Sequence, residues 1–583
     1  MLMPFTPASQ IVPENLDATR ADALEPLYRE LIDRNLHCVK CLERLLMDRS
    51  ELDAAVSEAA SVLYIRMTCQ TDDRAATDAY TAFVEHTEPS LRKWGFELDR
   101  KIVEAPQAGD LDQARYATML RDLKAGVDIF REENIPLGTE LTMLAQQYSQ
   151  TCGAMTVDFD GREQTLSQMG RYNDTTDRDL RERAWKAAAE RRYADADRLD
   201  TIFEQMLPLR HRIATNAGFD NFRDYSFVSK RRFDYTPTTC HDFAAGVERH
   251  VTPLVRRLLN DRKAAMHLDT LRPWDTAVDP MGRPPLRPFK DVRELVDKCA
   301  RIFDTMDPEL GRMFRSLDDA NAGGESGGGG GLARSLDLDS RKGKAPGGYQ
   351  SSRERIRKPF IFMNAAGVQR DVDTLLHEAG HAFHSLSMRA EPLLHYRNEL
   401  PLEFAEVASM SMELLTYPHM HEFYTPGEDA RARRNHLEGV LRGLVAIAII
   451  DQFQHWIYEH PAHTRAQRHG QWVELQNRLG LGLDWSGIEH LRRAEWHRVL
   501  HIFEMPFYYI EYGIAQLGAL QLWLNAGADR PATIAAYKKA LALGASRPLP
   551  ELFKAAGAEF DFGPATIQRL TARVEQELAS IAP

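Results

Sequence analysis

The sequence has little that would anchor the chain in a membrane or export it. No stretch approaches the roughly 18 apolar residues that a membrane-spanning helix requires. The opening residues, MLMPFTPASQIVPENLD, contain neither the basic nor the apolar segment of a secretory signal. We therefore expect a cytoplasmic protein without a membrane partner.

Cysteine is sparse, with six residues in a chain of 583. Cys38 and Cys41 form a C-x-x-C pair, which predicts either a metal or redox site, or two thiols on neighbouring helical turns. No second C-x-x-C completes a zinc site, and no βαβ pattern surrounds this pair. We favour the second interpretation.

An excess of positive charge is also missing. Lysine and arginine number 73 against 85 acidic residues, a net charge of −12. This balance argues against nucleic acid or an anionic membrane as the main partner. The composition, 43% hydrophobic and 27% charged, is that of a soluble globular protein. The length exceeds the roughly 250–300 residues of a single core, so we expect two lobes or more.

Helical periodicity dominates the chain. Apolar residues recur at steps of three and four through the first 200 residues and again from residue 371 to the end. The segment PFIFMN, Pro359 to Asn364, is short, apolar and aromatic, and it predicts a strand. Prolines at 270–289 break the helical pattern, as does the run GGESGGGGG at 323–331. The run predicts a mobile lid or, as we favour, a tolerated surface insertion.

His377, Glu378 and His381 form an H-E-x-x-H motif, typical of metalloproteases. Residues four apart lie on one helical face, so both imidazoles can bind one zinc ion. Glu378 can then reach a metal-bound water without binding the metal itself. Asp373 lies four residues before His377 and can accept the outer N–H of a ligating imidazole. The alternative is a buried histidine pair on a core helix, which is costly without a purpose.

A catalytic zinc needs a third protein ligand and one open position. Spacing leaves several candidates, of which Glu406, on a predicted helix, is favoured but not unique. The other candidates are Glu391, Glu399, Glu403 and Glu413.

A cluster of aromatic residues follows near the C-terminus. Tyr508, Tyr509 and Tyr512 lie shortly after His501. A phenol or an imidazole near zinc can donate to the oxyanion of a tetrahedral intermediate. The alternative is an aromatic helix face packed in the core.

Together, these motifs resemble the thimet oligopeptidase and oligoendopeptidase F family of zinc peptidases, and more closely its bacterial oligoendopeptidase F branch. The resemblance covers roughly residues 180–583 and is specific, because several separate blocks agree in order. The glycine run departs from the family pattern. The matching blocks are RKGKAPGGY, PFIFMN, DVDTLLHEAGHAFH, EFAEVASMSMELL and HIFEMPFYYIEYGIAQLGALQLW.

The resemblance implies a role for each of these residues. It makes Glu406, in the block Glu406-Val407-Ala408-Ser409, the third zinc ligand, and it places Asp373, Ser409 and Glu413 around the ligands. It implies that the oxyanion donors are His501 or one of Tyr508, Tyr509 and Tyr512.

The implied fold is mostly α, with two helical lobes enclosing a deep channel and a small β-sheet beside the zinc-binding helix. We divide the chain into an N-terminal helical lobe, 1–200, and a catalytic domain, 201–583. One zinc ion per chain, Glu378 as general base and short unstructured peptides as substrates complete the implied oligoendopeptidase. Attack by zinc-bound water, assisted by Glu378, would hydrolyse internal peptide bonds.

The predicted strand has a functional interpretation as well. We expect it to be an edge strand that pairs with the substrate backbone, which would give broad sequence tolerance. The residues concerned are Phe360, Ile361, Phe362, Met363 and Asn364.

Two other functions remain open at this point. A zinc carboxypeptidase or dipeptidyl carboxypeptidase would need a cation for the terminal carboxylate; Arg353, Arg355 and Arg357 lie near the strand. A peptide-binding protein without catalysis is disfavoured by Glu378, for which a structural zinc site has no use.

Overall fold

The chain is mostly helical, which confirms the predicted fold class. The computed structural model describes residues 10–318, 334–341, 343–345 and 347–581. In these ranges, helices follow one another along the chain, and five short strands form two small sheets. The glycine run at 323–331 lies outside the described residues, so its interpretation stays a prediction.

None of the helices in the described ranges is both long and apolar enough to cross a lipid bilayer. Short 3₁₀ and π segments join several of the α-helices. The α-helices are α1 (Ala21–Asp33), α2 (Val39–Cys69), α3 (Arg74–Ala82), α4 (Glu88–Val103), α5 (Gln113–Ile129), α6 (Asn134–Gly153), α7 (Leu166–Met169), α8 (Arg178–Tyr193), α9 (Ala196–Asn216), α10 (Phe222–Ser229), α11 (Pro237–Gly246), α12 (Thr252–Ala265), α13 (Val292–Met306), α14 (Pro308–Arg315), α15 (Gln369–Ser387), α16 (Leu394–Asn398), α17 (Leu402–Leu415), α18 (Pro426–Glu459), α19 (Arg465–Arg478), α20 (Glu489–Arg493), α21 (Leu500–Glu504), α22 (Tyr509–Ala528), α23 (Arg530–Leu541), α24 (Leu549–Ala555) and α25 (Pro564–Ser580).

The chain folds into two compact units, each built from three separate stretches of sequence. Unit 1 contains the residues up to Asp128, Arg287–Asp429 and Gly518–Phe560. Unit 2 contains Ile129–Leu286, Ala430–Leu517 and the residues from Asp561 onwards. The division into 1–200 and 201–583 is a different partition of the chain, and it stays a prediction.

Helix α2 shows how the sequence pattern builds the core of unit 1. Its residues Leu42, Leu45 and Leu52 are spaced by three and seven, so they share one helical face. Each is 0% exposed, and they join Leu24 of α1 and Leu98 of α4 in one hydrophobic cluster. The other faces of these helices carry the charged residues, as the periodicity predicts.

A small sheet lies in unit 1 directly before the helix with the H-E-x-x-H motif. Its strands are β3 (Leu336–Asp339), β4 (Tyr349–Arg353) and β5 (Lys358–Ala365), and their order is β3-β5-β4. Strand β5 pairs in parallel with β3 and antiparallel with β4. The other sheet is a hairpin in unit 2, of β1 (Thr156–Phe159) and β2 (Arg162–Thr165).

The prediction that Pro359–Asn364 forms an edge strand is wrong. The segment is a strand, but it lies in β5, the central strand of its sheet. Strands on both sides use its backbone donors and acceptors, so no edge is left for a peptide to pair with. Four consecutive side chains of the segment are at most 2% exposed: Phe360, Ile361, Phe362 and Met363.

Candidate metal centre

Helix α15 carries the H-E-x-x-H motif and is fixed at its start by a carboxylate. Before it, Gly367 has a φ of +80°, which L side chains rarely adopt. The carboxylate of Asp371 then accepts the N–H groups of Ala366 and Val368 at 2.8 and 2.9 Å, donors that a helix start would otherwise leave unpaired. The apolar face is buried as predicted, with at most 1% exposure for Val372, Leu375, Leu376, Ala379, Ala382 and Phe383.

Three of the predicted ligands converge on one point in unit 1. His377 and His381 stand one turn apart on α15, with ring centroids 5.0 Å apart, and Glu406 extends from α17. Its Oε2 is 3.3 Å from Nε2 of His377 and 3.6 Å from Nε2 of His381. One ligand atom from each residue lies within 4.8 Å of the other two.

The spacing of these donor atoms fits a zinc ion. Bonds of about 2.0–2.2 Å at tetrahedral angles place neighbouring ligand atoms about 3.3–3.5 Å apart. The two distances from Glu406, 3.3 and 3.6 Å, agree with that spacing. Two imidazoles and one carboxylate leave a fourth position for water or substrate, as in catalytic zinc sites.

The protonation of Glu406 and His381 also suits a cation. Burial raises the pKa of Glu406, but the charge of His381 and the hydrogen bond from His377 lower this pKa to about 2. Burial lowers the pKa of His381 to about 4, which leaves the neutral imidazole that binds metals. Burial disfavours charge on His377, yet hydrogen bonds to Glu406 and Glu413 raise its pKa well above the usual value.

Two side chains of α17 orient the ligands. Nδ1 of His377 lies 2.6 Å from Oε1 of Glu413, which leaves Nε2 directed at Glu406. The hydroxyl of Ser409 donates to Oε2 of Glu406 at 3.0 Å. Such partners fix the tautomer and the angle of a metal ligand. The predicted role of Asp373 beside the histidines stays a prediction.

Glu378 is buried beside the histidines. It is 7% exposed, and its Oε2 has no hydrogen-bond partner among the described residues. Burial raises the pKa of its carboxyl group to about 7. A carboxylate with a free oxygen and a pKa near neutrality can accept a proton and return it.

Gly380 is the site residue that sequence reasoning missed. A Cβ atom at this position would lie 2.5 Å from the carbonyl oxygen of Ala408 and 2.6 Å from Cα of Ser409. Both are backbone atoms of α17, so only glycine lets the two helices approach this closely. The close approach brings Glu406 to the histidines. A glycine inside a strongly periodic helix was the available signal, since it weakens a helix without such a packing reason.

The predicted oxyanion donors form one aromatic cluster in unit 2. The ring of His501 lies 5.0 Å from the rings of both Tyr508 and Tyr509, and 6.0 Å from that of Tyr512. Phe507, just before them, has a φ of +65°, and Gln454 Oε1 accepts its N–H at 2.7 Å. Their role toward a substrate stays a prediction.

Asn364, at the end of β5, has an internal structural contact. Its Nδ2 donates to the carbonyl oxygens of Ala345 and Gly347 at 2.8 and 3.0 Å. These bonds hold the segment before β4 against β5. A direct contact of Asn364 or its neighbours in β5 with substrate stays a prediction.

Comparison with known protein families gives two matches. The family described as Peptidase family M3 matches residues 171–571. The Peptidase M3 N-terminal domain matches residues 15–130. The first match includes every residue of the candidate metal centre.

Similar proteins carry related names. Oligoendopeptidase F, chromosomal, of Lactococcus lactis subsp. cremoris is 23% identical over 358 residues, 60% of this chain and 54% of that protein. Group B oligopeptidase PepB of Streptococcus agalactiae serotype III (strain NEM316) is 23% identical over 354 residues, 58% of this chain and 53% of that protein. The chain thus covers about half the length of these curated relatives.

Among solved structures, PZ peptidase A with inhibitor 2 superimposes with a TM-score of 0.89 at 26% identity. The match covers 98% of this chain and 99% of that one. The fold described above is therefore shared along nearly the whole length.

Proposed function

Because the chain belongs to peptidase family M3, we propose that it is a zinc-dependent oligoendopeptidase that cleaves internal bonds of short, unstructured peptides. The observation that carries the proposal is the cage of His377, His381 and Glu406, with the unpaired carboxylate oxygen of Glu378 beside it. A structural zinc site would use a fourth protein ligand and would have no need of that carboxylate.

The residues of the chain divide the chemistry among themselves. His377, His381 and Glu406 would hold the ion, which when bound supplies Lewis-acid catalysis by polarising the scissile carbonyl and acidifying water. Glu378 takes the proton of the attacking water on Oε2 and returns it to the nitrogen of the leaving amine. Glu413 keeps the imidazole of His377 oriented throughout, because its hydrogen bond fixes the tautomer.

Two of the three arginines near the strand are buried and used inside the fold. A carboxypeptidase needs an accessible cation for the terminal carboxylate. Arg353 and Arg357 are each 4% exposed, and their guanidinium groups donate to Ser335 Oγ at 2.6 Å and to the carbonyl oxygen of Arg389 at 2.7 Å. Arg355 is exposed, so cleavage of end-blocked peptides is the test that separates the two activities.

We further propose that an extended substrate adds to the outer edge of β4 rather than to β5. Within the described sheet, β4 is an edge strand and packs against α15. Its last residues lie along that helix, with Ser352 Oγ 3.1 Å from Ser385 Oγ. A peptide complex of an inactive variant would test this, because backbone hydrogen bonds to β4 are expected and their absence would refute the proposal.

The decisive experiment replaces Glu378 by glutamine. Glu378→Gln keeps the shape of the side chain and removes the base, so turnover of an end-blocked fluorogenic peptide should fall by about 10²–10⁴-fold. Zinc content and peptide affinity should stay unchanged. Glu391→Gln is the matched control, because Glu391 lies in the same unit but pairs with Arg115 at 2.9 Å.

The result has clear alternatives. Near-normal turnover in a zinc-loaded Glu378→Gln variant would refute the assigned base. Cleavage of peptides only when their C-terminus is free would show a carboxypeptidase instead. A wild-type protein that binds peptides and zinc, but cleaves neither end-blocked peptides nor peptides with a free C-terminus, would be a peptide-binding protein.

A further inference from the structure

A second group of metal-ligand residues lies in unit 2, outside the candidate metal centre. Cys240 is on α11, and Asp451 and His455 stand one turn apart on α18. One ligand atom from each lies within 4.8 Å of the other two. All three are buried, with exposures of 0, 0 and 1%. The three groups therefore point into one space inside unit 2.

Two of these side chains are incompletely satisfied. Neither Nδ1 nor Nε2 of His455 makes a hydrogen bond within the described residues, and Oδ1 of Asp451 also lacks a partner there. Nε2 of His455 is 3.4 Å from Oδ2 of Asp451, a separation without hydrogen-bond geometry. Buried polar atoms are normally paired, and an unpaired cluster of them calls for an explanation such as an ion.

The surroundings of the cluster explain why a cation would be retained. The ring of Phe507 lies 5.3 Å from that of His455, and the ring of Phe227 lies 6.3 Å from it. Asp451 is 0% exposed, and a buried charged carboxylate is costly unless it is neutralised. A divalent ion bound by one thiolate, one carboxylate and one neutral imidazole has no net charge. The charges of the thiolate and the carboxylate thus cancel the charge of the ion, which favours binding in the buried interior of unit 2.

A partly exposed ligand group adjoins the buried cluster. His241 follows Cys240 on α11, and its ring lies 4.7 Å from that of His455. Glu459, one turn after His455 on α18, completes a partly exposed ligand group with His241 and His455. His455 belongs to both groups.

We propose that Cys240, Asp451 and His455 form a second metal site, which takes a zinc-class divalent ion and links α11 to α18. A thiolate with an imidazole and a carboxylate is a borderline-soft donor set that suits zinc and disfavours calcium or magnesium. The thiol of Cys240 loses its proton on binding. This site is independent of the proposed catalysis, since it shares no residue with the cage of His377, His381 and Glu406.

Cobalt substitution separates the two sites, because only the second contains sulfur. Metal-stripped protein would receive two equivalents of Co²⁺, and a thiolate-to-cobalt charge-transfer band would be recorded in the near ultraviolet. The parent protein for this experiment carries Cys38→Ser and Cys41→Ser, which remove the C-x-x-C thiol pair. We expect two bound equivalents and the band in this background. A further His377→Ala change should remove one equivalent and leave the band.

Two substitutions assign the band. Cys240→Ser should abolish it together with one equivalent of metal, and His455→Gln, which keeps the thiol, should weaken metal binding at least tenfold. Cys299→Ser is the control, since Cys299 is equally buried but belongs to none of the metal-ligand groups within the described residues. Circular dichroism verifies that each variant is folded. Absence of the band in the folded parent, or a band that survives both substitutions, would overturn the proposal.

Discussion

Substituting Gly380 by alanine tests whether the contact between α15 and α17 sets the metal centre. The added Cβ would meet the backbone of α17 at 2.5 and 2.6 Å. Carbon atoms in contact need about 3.5 Å, so α17 must retreat by about 0.9 Å. Neither opposing atom belongs to a flexible side chain, so a rotamer change cannot relieve the clash.

The expected effect on stability is moderate. Overpacking of this kind costs about 1–3 kcal/mol, and the higher helix propensity of alanine returns about 1 kcal/mol. We therefore expect a net loss of about 0–2 kcal/mol in the free energy of unfolding of the metal-free protein. A thermal or urea titration followed by circular dichroism measures this loss.

The expected effect on zinc affinity is larger. Metal–ligand distances tolerate deviations of about 0.2 Å, and a retreat of about 0.9 Å at α17 carries Glu406 well beyond that limit. We expect zinc to bind at least 10–100-fold more weakly in Gly380→Ala, which corresponds to about 1.4–2.8 kcal/mol. Competition with a chromophoric chelator measures the affinity.

Gly126→Ala provides the matched control. Gly126 lies on α5 in the same unit, and a Cβ there would meet nothing within 4 Å. This variant should gain up to about 1 kcal/mol in stability and bind zinc as the wild type does. If Gly380→Ala also kept wild-type zinc affinity, the helix contact would not be what positions Glu406.

Two further predictions concern hydrogen-bonded carboxylates. Glu413→Gln weakens the partner of His377 Nδ1 at 2.6 Å, so zinc affinity should fall about 10–100-fold; unchanged affinity in the chelator assay would refute this role. The second prediction concerns Asp200, whose side chain is 2% exposed and accepts a hydrogen bond from Arg468 at 2.8 Å. Burial raises the pKa of Asp200, but hydrogen bonds from His469 and His497 outweigh this effect and hold the pKa well below its usual value. A depressed carboxyl pKa contributes stability that is fully present above the unfolded pKa of about 3.9. This contribution declines as the pH falls from there towards the folded pKa. Asp200→Asn should therefore cost about 3 kcal/mol at pH 7 and about 1 kcal/mol less at pH 3, as urea midpoints followed by tryptophan fluorescence would show; an equal loss at both pH values would contradict it.

The local parts of the metal centre could be predicted from the sequence because they depend on helical geometry alone. His377 and His381 are four residues apart, and the apolar residues around them show which face is buried. The identity of the third carboxylate depends on tertiary packing. Of its rivals, Glu391 pairs with Arg115 and Glu413 with His377, and spacing along the chain shows neither partner.

The error at β5 has a specific physical origin. A continuous apolar run such as Phe360–Met363 is typical of a strand buried on both faces, and therefore of a central strand. Its neighbours are weak signals: LDLD in β3 alternates but is only four residues long, and YQSSR in β4 shows no apolar alternation. Without them the strand lacked visible partners and was assigned to an edge. The apolar run of β5 alone indicates a central strand, but its pairing partners could not be recognised in the sequence.

The interleaving of three stretches in unit 1 has a consequence for synthesis of the protein. The residues of the metal cage lie between positions 377 and 413, yet α17 is supported from beyond position 518. The hydroxyl of Tyr537 donates to the carbonyl oxygen of Ala408 at 2.8 Å, and the ring of Phe553 lies 5.8 Å from that of Phe404. A nascent chain therefore contains all the proposed metal ligands before the segments that support α17 have been synthesised. Capture of the proposed metal ion would therefore follow synthesis of α23 and α24, because Tyr537 and Phe553 on these helices support α17.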